Sequence, residues 1–155
     1  MEIRAASPAD TAAIAGLYRA WLDEDNAYGL AAPPEAQIKV WCASGLCFVA
    51  EEDGSAIGFV YGTAEAAHDL AVIPNGERCL VVEELYVRAD QRSRGVGAAL
   101  LERLLAVAAE QGIVRARLFS AAKDAERIVA FYRRFGFRVW GVQMVRGEDA
   151  ERGTA

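Results

Sequence analysis

The sequence predicts an α/β (α+β) protein in which one mixed β-sheet carries helices on both faces. Three observations support this fold class. Apolar residues recur at helical spacing, an Asp-Gly dipeptide joins two strand-like runs, and strand-like and helical patterns alternate in the last third of the chain. The Asp-Gly hairpin indicates antiparallel neighbours in the sheet, and the alternating units near the end indicate parallel ones.

The first half of the chain is predicted to contain three strands and two helices. Ser7-Pro8 starts the first helix, because serine is a favoured N-cap and proline fits the first turn. Apolar residues repeat along it at helical spacing: Ile14, Leu17, Tyr18, Trp21 and Leu22. Pro33-Pro34 opens a second, short helix, and Asp53-Gly54 favours positive φ at both turn positions of a hairpin. The predicted strands are residues 2–6, Leu46–Glu52 and Ser55–Thr63.

The second half is predicted to contain two helices between three strands. Gly112 and Gly136 stop the helices, since glycine accepts the left-handed conformation common at helix ends. The predicted elements are strand Cys79–Val87, helix Gly97–Gln111, strand Val114–Ser120, helix Asp124–Arg134 and strand Phe137–Arg146.

Length, composition and net charge limit which classes of protein this sequence fits. With 155 residues, 54% of them hydrophobic and 25% charged, the chain fits one domain, predicted to span residues 1–146 with residues 147–155 as a flexible tail. No apolar run approaches the roughly 18 residues of a membrane span. The N-terminal residues lack the apolar core of a signal peptide, so we expect a cytoplasmic protein without a membrane partner. The net charge of −5 argues against a nucleic-acid partner.

The cysteine and histidine content predicts no metal site. Cys42, Cys47 and Cys79 are odd in number and match neither a zinc spacing nor a CxxC motif, so we interpret them as reduced core thiols. The single histidine, His68, lies in a polar stretch and is expected at the surface.

One segment of the sequence has the features of a ligand-binding site. The strand ending at Val87 leads into Arg92-Ser93-Arg94-Gly95-Val96-Gly97, and the long helix follows at once. A helix N-terminus leaves about four amides unpaired and carries partial positive charge. Glycines let this backbone approach a ligand closely, and Arg92 and Arg94 add cationic groups. The segment therefore predicts a cradle for a phosphate or pyrophosphate.

Other interpretations of this glycine-rich turn stay open on the residues alone. The dinucleotide motif GxGxxG begins at Gly95, but its third glycine position is Leu100. The Walker motif requires Gly-Lys-Ser/Thr, which the chain lacks. A flexible strand-to-helix turn without a ligand is the remaining alternative.

Two motifs together resemble the GCN5-related N-acetyltransferase (GNAT) family. Arg92–Gly97 is similar to its Arg-x-x-Gly-x-Gly/Ala signature, Leu85-Tyr86-Val87 to its acetyl-CoA strand, and Ala130–Phe137 to its helix carrying Phe-Tyr and ending in Gly-Phe. The resemblance covers residues 1–146. It implies a mostly antiparallel sheet of six to seven strands with splayed central strands, acetyl-CoA as co-substrate, and homodimers as a common assembly.

The resemblance also implies roles for individual residues. Amides of Arg92–Ala98 would hold the pyrophosphate, the Leu85 N–H would polarise the thioester carbonyl, and Tyr132 would protonate the departing thiolate. By spacing alone, a core tyrosine on an apolar helix face is the favoured interpretation of Tyr132, and only the family resemblance reverses it. Many members carry an asparagine where this chain has Ala125, next to Asp124. The expected coenzyme-binding residues are Leu85, Tyr86, Val87, Arg92, Ser93, Arg94, Gly95, Val96, Gly97, Ala98 and Tyr132.

The candidate general base lies on the strand before the cradle. Glu83 and Glu84 should point to opposite faces, with Glu84 beside Tyr86, unless a β-bulge changes the register. The stretch resembles polyamine and glucosamine-phosphate acetyltransferases, whose base aligns with Glu83, so Glu83 is the first choice and Glu84 the second. A strand-end pair without catalytic function stays an alternative. In the family, the loop equivalent to Asp23-Glu24-Asp25 borders the acceptor pocket, where its acidic residues would favour a cationic acceptor. A solvated helix end is the alternative interpretation of these residues.

The sequence thus predicts an acetyl-CoA-dependent N-acetyltransferase. Its expected acceptor is the primary amine of a small molecule, of polyamine, amino-acid or aminoglycoside type, which attacks directly in a ternary complex. The alternatives are an acyl-CoA-binding sensor without turnover and an acetyltransferase that acts on a protein or an aminoacyl-tRNA.

Overall fold

The computed structural model describes residues 1–147 of the chain. Its five strands are β1 (Glu2–Ala5), β2 (Cys47–Glu52), β3 (Ser55–Ala66), β4 (Arg78–Val87) and β5 (Arg115–Arg117). Its four α-helices are α1 (Thr11–Asp23), α2 (Glu35–Ala43), α3 (Val96–Glu110) and α4 (Ala125–Arg133). Single 3-10 turns at Pro8–Asp10 and Ala89–Gln91 precede α1 and the turn into α3.

The strands form one mixed sheet in the order β1-β2-β3-β4-β5. The first four are antiparallel, and β5 is parallel to β4. The predicted hairpin turn is confirmed, because Asp53 and Gly54 have φ values of 51° and 73°. The β4-α3-β5 unit confirms the predicted parallel pair.

Helices cover both faces of the sheet, which confirms the predicted fold class. On one face, α3 and α4 pack on apolar residues of β2, β3 and β4. On the other face, α1 and α2 pack over residues that include Val49, Phe59 and Tyr86. Leu100, Leu101 and Leu104 of α3 are fully buried, and each such side chain contributes about 1.5–3 kcal/mol to folding.

A β-bulge interrupts β4 at Glu83. Tyr61 of β3 pairs with Glu84 and Gly62 pairs with Val82, so Glu83 has no opposite residue. The strict alternation of faces along β4 therefore breaks at this point. The bulge lies next to the candidate site and decides where the two glutamates point.

The strand predicted at Phe137–Arg146 is wrong, and so is the count of six to seven strands. Within residues 1–147 the sheet has five strands, and β5 is shorter than the predicted Val114–Ser120. Alternating side chains give a segment β-propensity, but a strand also needs a hydrogen-bonded neighbour. Residues 137–146 have none within the described part of the chain.

The structure also bears on the expectations for the cysteines, the histidine and the C-terminal tail. The three cysteines are free and buried, and the side chain of His68 is 84% exposed, both as predicted. Of the predicted tail, only Gly147 is described, and residues 148–155 lie outside the described part. No helix within residues 1–147 is long and apolar enough to cross a membrane. The same residues include no group of three or more His, Cys, Asp or Glu that could hold a metal ion.

Candidate functional site

The turn into α3 presents a row of unpaired amides. Within residues 1–147, no N–H from Ser93 to Ala98 donates to a protein acceptor. Ser93 and Gly95 adopt positive φ values of 62° and 81°, which turn the backbone sharply before the helix begins. Gly95 has open space where a Cβ would lie. Several amides and the positive end of a 15-residue helix thus converge on one exposed turn.

The two arginines of this turn point away from the amides. Arg92 donates through Nε to the Val87 carbonyl at 2.9 Å and through a terminal nitrogen to Glu24 Oε1 at 2.7 Å. Arg94 forms a bidentate ion pair with Glu52, in which each terminal nitrogen lies 2.9 Å from a carboxylate oxygen. Their guanidinium groups therefore fix the turn to the rest of the fold, whereas the sequence suggested that they would face a phosphate. Both guanidinium groups pair with carboxylates of the same chain, and Arg94 also donates to the side-chain oxygen of Gln91.

The gap between β4 and β5 begins beside this turn. The two strands pair only from Cys79 to Val81, opposite Arg115 to Arg117. Beyond Val81, β4 continues to Val87 with a neighbour on the β3 side alone within the described chain. The last part of β4 thus has one edge without a strand neighbour, and along this edge the Val87 carbonyl accepts the hydrogen bond from Arg92.

Tyr132 lies on the α3–α4 face of the sheet, where Leu85 also packs. Its ring makes edge contacts with Phe131 and Phe137 at centroid distances of 5.0 and 5.4 Å. Burial raises the pKa of its hydroxyl to about 12. Tyr132 therefore keeps its proton at neutral pH.

The two candidate glutamates have different surroundings. Glu84 is half-buried on the α1–α2 face and accepts a hydrogen bond from Tyr18 Oη at 3.2 Å. Burial raises its pKa to about 7, against the smaller opposing effect of the Tyr18 hydrogen bond. Glu83 is exposed at the bulge and accepts from Thr63 Oγ1 at 2.8 Å. A carboxyl with a pKa near 7 can take up and release protons at physiological pH.

The acidic loop after α1 reaches this face of the sheet through Glu24. Glu24 accepts hydrogen bonds from Tyr86 Oη at 2.8 Å and from Arg92 at 2.7 Å. Asn26 donates to the same carboxylate and accepts from the Trp21 indole at 3.0 Å. Trp21 also stacks on Tyr86 at 5.3 Å. The loop is thus tied to both β4 and the amide-lined turn.

Aromatic side chains extend the same surface. Trp41 stacks on Tyr61 with ring centroids 4.8 Å apart, and Tyr18 lies 6.4 Å from Trp41. Tyr61 is partly exposed and pairs across the strands with Glu84. Trp41 and Tyr18 are buried in the core, so of these three rings only that of Tyr61 lies partly exposed beside Glu84, where it can attract a cation.

Asp124 caps the start of α4, next to Ala125, where the resemblance leads one to expect an asparagine. Its carboxylate caps α4 by accepting from the Arg127 amide at 3.0 Å. Ala125 is the first residue of α4 and offers no polar side chain. The start of α4 is therefore organised for helix stability.

The comparisons with known proteins identify the family. The model of the acetyltransferase (GNAT) family matches residues 14–137. The chain therefore belongs to the GNAT acetyltransferase family. No curated protein sequence matches it.

Several solved structures share this fold at low sequence identity. A GCN5-related N-acetyltransferase from Ralstonia eutropha JMP134 superposes with a TM-score of 0.70 at 23% identity, covering 96% of this chain and 99% of that one. A predicted acetyltransferase with acetyl-CoA from Clostridium acetobutylicum gives 0.68 at 18% identity, covering 94% and 95%. An aminoglycoside acetyltransferase from an uncultured soil metagenomic sample gives 0.69 at 18% identity, covering 96% and 98%.

The sequence did not predict that Tyr18 contacts Glu84, or that Glu24 connects β4 to the amide-lined turn. Tyr18 fits the apolar face of α1, and nothing in its spacing distinguishes a tyrosine that binds Glu84 from a plain core residue. In the sequence, Glu24 is distinguished only as part of the acidic cluster Asp23-Glu24-Asp25. Its partners Tyr86 and Arg92 are more than 60 positions away in the chain, so only the fold brings them together.

Proposed function

We propose that this protein is an acetyl-CoA-dependent N-acetyltransferase that modifies a primary amine of a small molecule. One observation carries the proposal: the unpaired amides of Ser93–Ala98 lie beside the open edge of β4. Two further groups fit the same reaction, a carboxyl with a pKa near 7 at Glu84 and a protonated phenol at Tyr132.

The turn before α3 fits a diphosphate. Its amides are donors without acceptors, its backbone is exposed, and the α3 dipole adds positive charge. Acetyl-CoA would supply an activated acetyl thioester at this place. Amides of Arg92–Ala98 would bind the diphosphate of the coenzyme. The free edge of β4 from Leu85 to Val87 would orient the rest of the coenzyme by backbone hydrogen bonds.

The acceptor amine must lose a proton before it can attack. A primary amine with a pKa near 10.4 is neutral in only about one molecule in 2,500 at pH 7, which costs roughly 4.6 kcal/mol. A neighbouring carboxylate that attracts the cation and then accepts its proton removes much of this cost. Glu84 suits this function better than the expected Glu83, because Glu84 is half-buried and titrates near pH 7.

The leaving thiolate must gain a proton. Tyr132 holds a proton at Oη, and its raised pKa of about 12 keeps that proton in place until a strong base is close. Glu84 and Tyr132 lie on opposite faces of the sheet. This separation suits a transfer in which the acceptor and the leaving group lie on opposite sides of the reacting carbonyl.

The surface around Glu84 favours a cationic acceptor. It combines the carboxylates of Glu84 and Glu24 with the partly exposed rings of Trp21 and Tyr61. Ring faces attract ammonium groups, and carboxylates neutralise them. Polyamines, amino acids and aminoglycosides therefore form the first substrate panel.

Thiol release from acetyl-CoA in the presence of this panel tests the proposal. We expect amine-dependent release, together with an acetylated product of the matching mass. Acetyl-CoA hydrolysis without any amine product would contradict it. Thermal stabilisation by acetyl-CoA without thiol release for any acceptor would instead favour an acyl-CoA sensor, which the loss of the usual asparagine at Ala125 would suit.

A further inference from the structure

Tyr18 is a buried tyrosine whose hydroxyl reaches the candidate general base. It lies on α1, and only 4% of its surface is exposed. Three aromatic rings surround it at centroid distances of 5.4, 6.2 and 6.4 Å: Trp21, Phe59 and Trp41. A ring packed this closely has little room to change its rotamer. The helix and the aromatic cluster therefore fix the position of the Tyr18 hydroxyl.

The hydroxyl of Tyr18 has one hydrogen-bond partner in the described part of the chain, which is Oε1 of Glu84 at 3.2 Å. The other surroundings of Tyr18 are the apolar residues of the α1–α2 face. Burial and the nearby negative charge of Glu84 raise the pKa of Tyr18. The hydroxyl thus stays protonated and acts as the donor in this hydrogen bond.

The two carboxyl oxygens of Glu84 have different surroundings. Oε1 accepts the hydrogen bond from Tyr18, whereas Oε2 has no hydrogen-bond partner among residues 1–147. In the same range, no buried side-chain oxygen or nitrogen lacks a partner, so Oε2 is in contact with solvent. A molecule that approaches Glu84 from solvent therefore meets Oε2.

The hydrogen bond from Tyr18 restrains a flexible side chain. A glutamate side chain turns about three bonds, each with several staggered positions or a broad range. The β-bulge fixes the backbone beside Glu84 but not its carboxyl group, and Glu84 forms no ion pair with any described residue. The bond to Tyr18 is thus the polar contact that selects the orientation of this carboxyl.

The titratable groups around Glu84 leave Tyr18 as the one that favours its ionised form. Burial raises the pKa of Glu84, the Tyr18 hydrogen bond lowers it, and the charge of Glu83 raises it. The elements on this face contribute these titratable side chains: Tyr18 and Glu24 from α1 and its loop, Cys42 from α2, Cys47 from β2, Tyr61 from β3, and Glu83 and Tyr86 from β4. Within residues 1–147, only Tyr18 forms a hydrogen bond to Glu84.

We propose that Tyr18 is a positioning residue for the proton-accepting carboxyl: its hydroxyl holds Oε1 of Glu84 and leaves Oε2 to receive the proton of the acceptor amine. The inference rests on the proposed function of Glu84. In this step an N–H bond of the ammonium group breaks, its electron pair stays on nitrogen, and the proton forms a bond to Oε2. Tyr18 keeps its own proton throughout and acts only through Glu84.

Tyr18→Phe tests the inference, because phenylalanine keeps the ring in its aromatic cluster and removes only the hydroxyl. Carbon-13 NMR of labelled glutamate carboxyls measures the pKa of Glu84 without any turnover. We expect Tyr18→Phe to raise this pKa by at least about 0.5, since the carboxylate loses a donor. Tyr86→Phe is the matched control, because it removes a buried hydroxyl on the same face that donates to Glu24. It should leave the titration of Glu84 in place.

Steady-state kinetics separates the orientation of the carboxyl from its titration. In Tyr18→Phe, the pH midpoint of kcat/KM should move upward together with the NMR pKa of Glu84. At pH 9 the carboxyl is ionised in both proteins, yet kcat should stay at least about threefold lower because the carboxyl is no longer held. In a Glu84→Gln background, Tyr18→Phe should change kcat/KM by less than about twofold, because no proton acceptor remains for it to position.

Four results would each overturn the inference. They are an unchanged pKa of Glu84 in Tyr18→Phe, an equal change in Tyr86→Phe, a wild-type kcat of Tyr18→Phe at pH 9, and an undiminished effect of Tyr18→Phe in the Glu84→Gln background. The last result would make Tyr18 a structural residue only. Failure of the proposed function of Glu84 is distinguishable from these results, because Glu84→Gln alone would then keep the wild-type kcat/KM at pH 8.

Discussion

The titration of Glu84 gives the sharpest test of the proposed chemistry. Glu84→Gln keeps the shape of the side chain and an oxygen for the Tyr18 hydrogen bond, but it cannot accept a proton. With a pKa of about 7, the wild-type carboxyl is ionised in about 90% of molecules at pH 8 and about 10% at pH 6. Its loss should cost at least about 100-fold in kcat/KM at pH 8, the lower bound for a general base.

The shape of the pH profile carries more information than the rate at one pH. If Glu84 accepts the proton of a bound ammonium group, wild-type kcat/KM should rise about tenfold per unit below pH 7 and then level off. Without this base the amine must arrive neutral. The rate of Glu84→Gln should then rise about tenfold per unit up to the amine pKa near 10.4.

The same substitution should change stability in the opposite direction to activity. The ordinary pKa of a glutamate is 4.5 and that of Glu84 in the fold is about 7, so the folded state binds more protons between these values. The contribution of Glu84 to stability is therefore fully present below pH 4.5 and is lost as pH rises through 7. At pH 8, Glu84→Gln should raise the free energy of unfolding by about 1–3 kcal/mol, after allowing for partial exposure.

Glu83→Gln is the matched comparison, because it removes the neighbouring carboxylate at the exposed bulge. Steady-state kinetics from pH 5.5 to 9 (about the range in which the fold should survive) and urea unfolding at pH 8 measure both variants. A wild-type pH profile in Glu84→Gln, or a larger loss in Glu83→Gln, would refute the assignment to Glu84.

Three further substitutions test other parts of the site. Tyr132→Phe should lower turnover at least about tenfold in thiol-release assays while leaving acetyl-CoA affinity nearly unchanged; equal turnover would make Tyr132 a core residue only. Gly95→Glu should weaken acetyl-CoA binding at least about tenfold by calorimetry, whereas Gly112→Glu, with a similar φ of 76° and equally open surroundings, should retain it. Asp124→Ala should lower the free energy of unfolding by about 1 kcal/mol through loss of the α4 cap; no change would contradict the capping function.

Local patterns in the sequence predict most of the elements. The heptad-like spacing of Leu100, Leu101 and Leu104 locates α3, and Asp53-Gly54 locates the β2–β3 turn. Both depend on interactions between residues close in the chain. The segment Phe137–Arg146 has an equally clear alternation, yet it forms no strand within residues 1–147, because its partner is not specified by its own residues.

The same distinction between local and distant interactions applies to the candidate site. The amide-lined turn at Ser93–Ala98 follows from glycines and a helix start, which the sequence contains directly. The choice between Glu83 and Glu84 depends on a bulge that arises from the pairing of β4 with β3. No residue type at these positions predicts this bulge. The arginine interactions depend on Glu24 and Glu52, which lie 68 and 42 positions away from Arg92 and Arg94.

The central claim is that the amides before α3 hold the diphosphate of the coenzyme, and an amide NMR titration with coenzyme A tests it most directly. We expect the largest saturable shifts at Ser93–Ala98, with inorganic pyrophosphate moving the same resonances at higher concentration. If these resonances stayed in place while coenzyme A shifted residues elsewhere in the chain, or none at all, the proposed coenzyme site would be wrong.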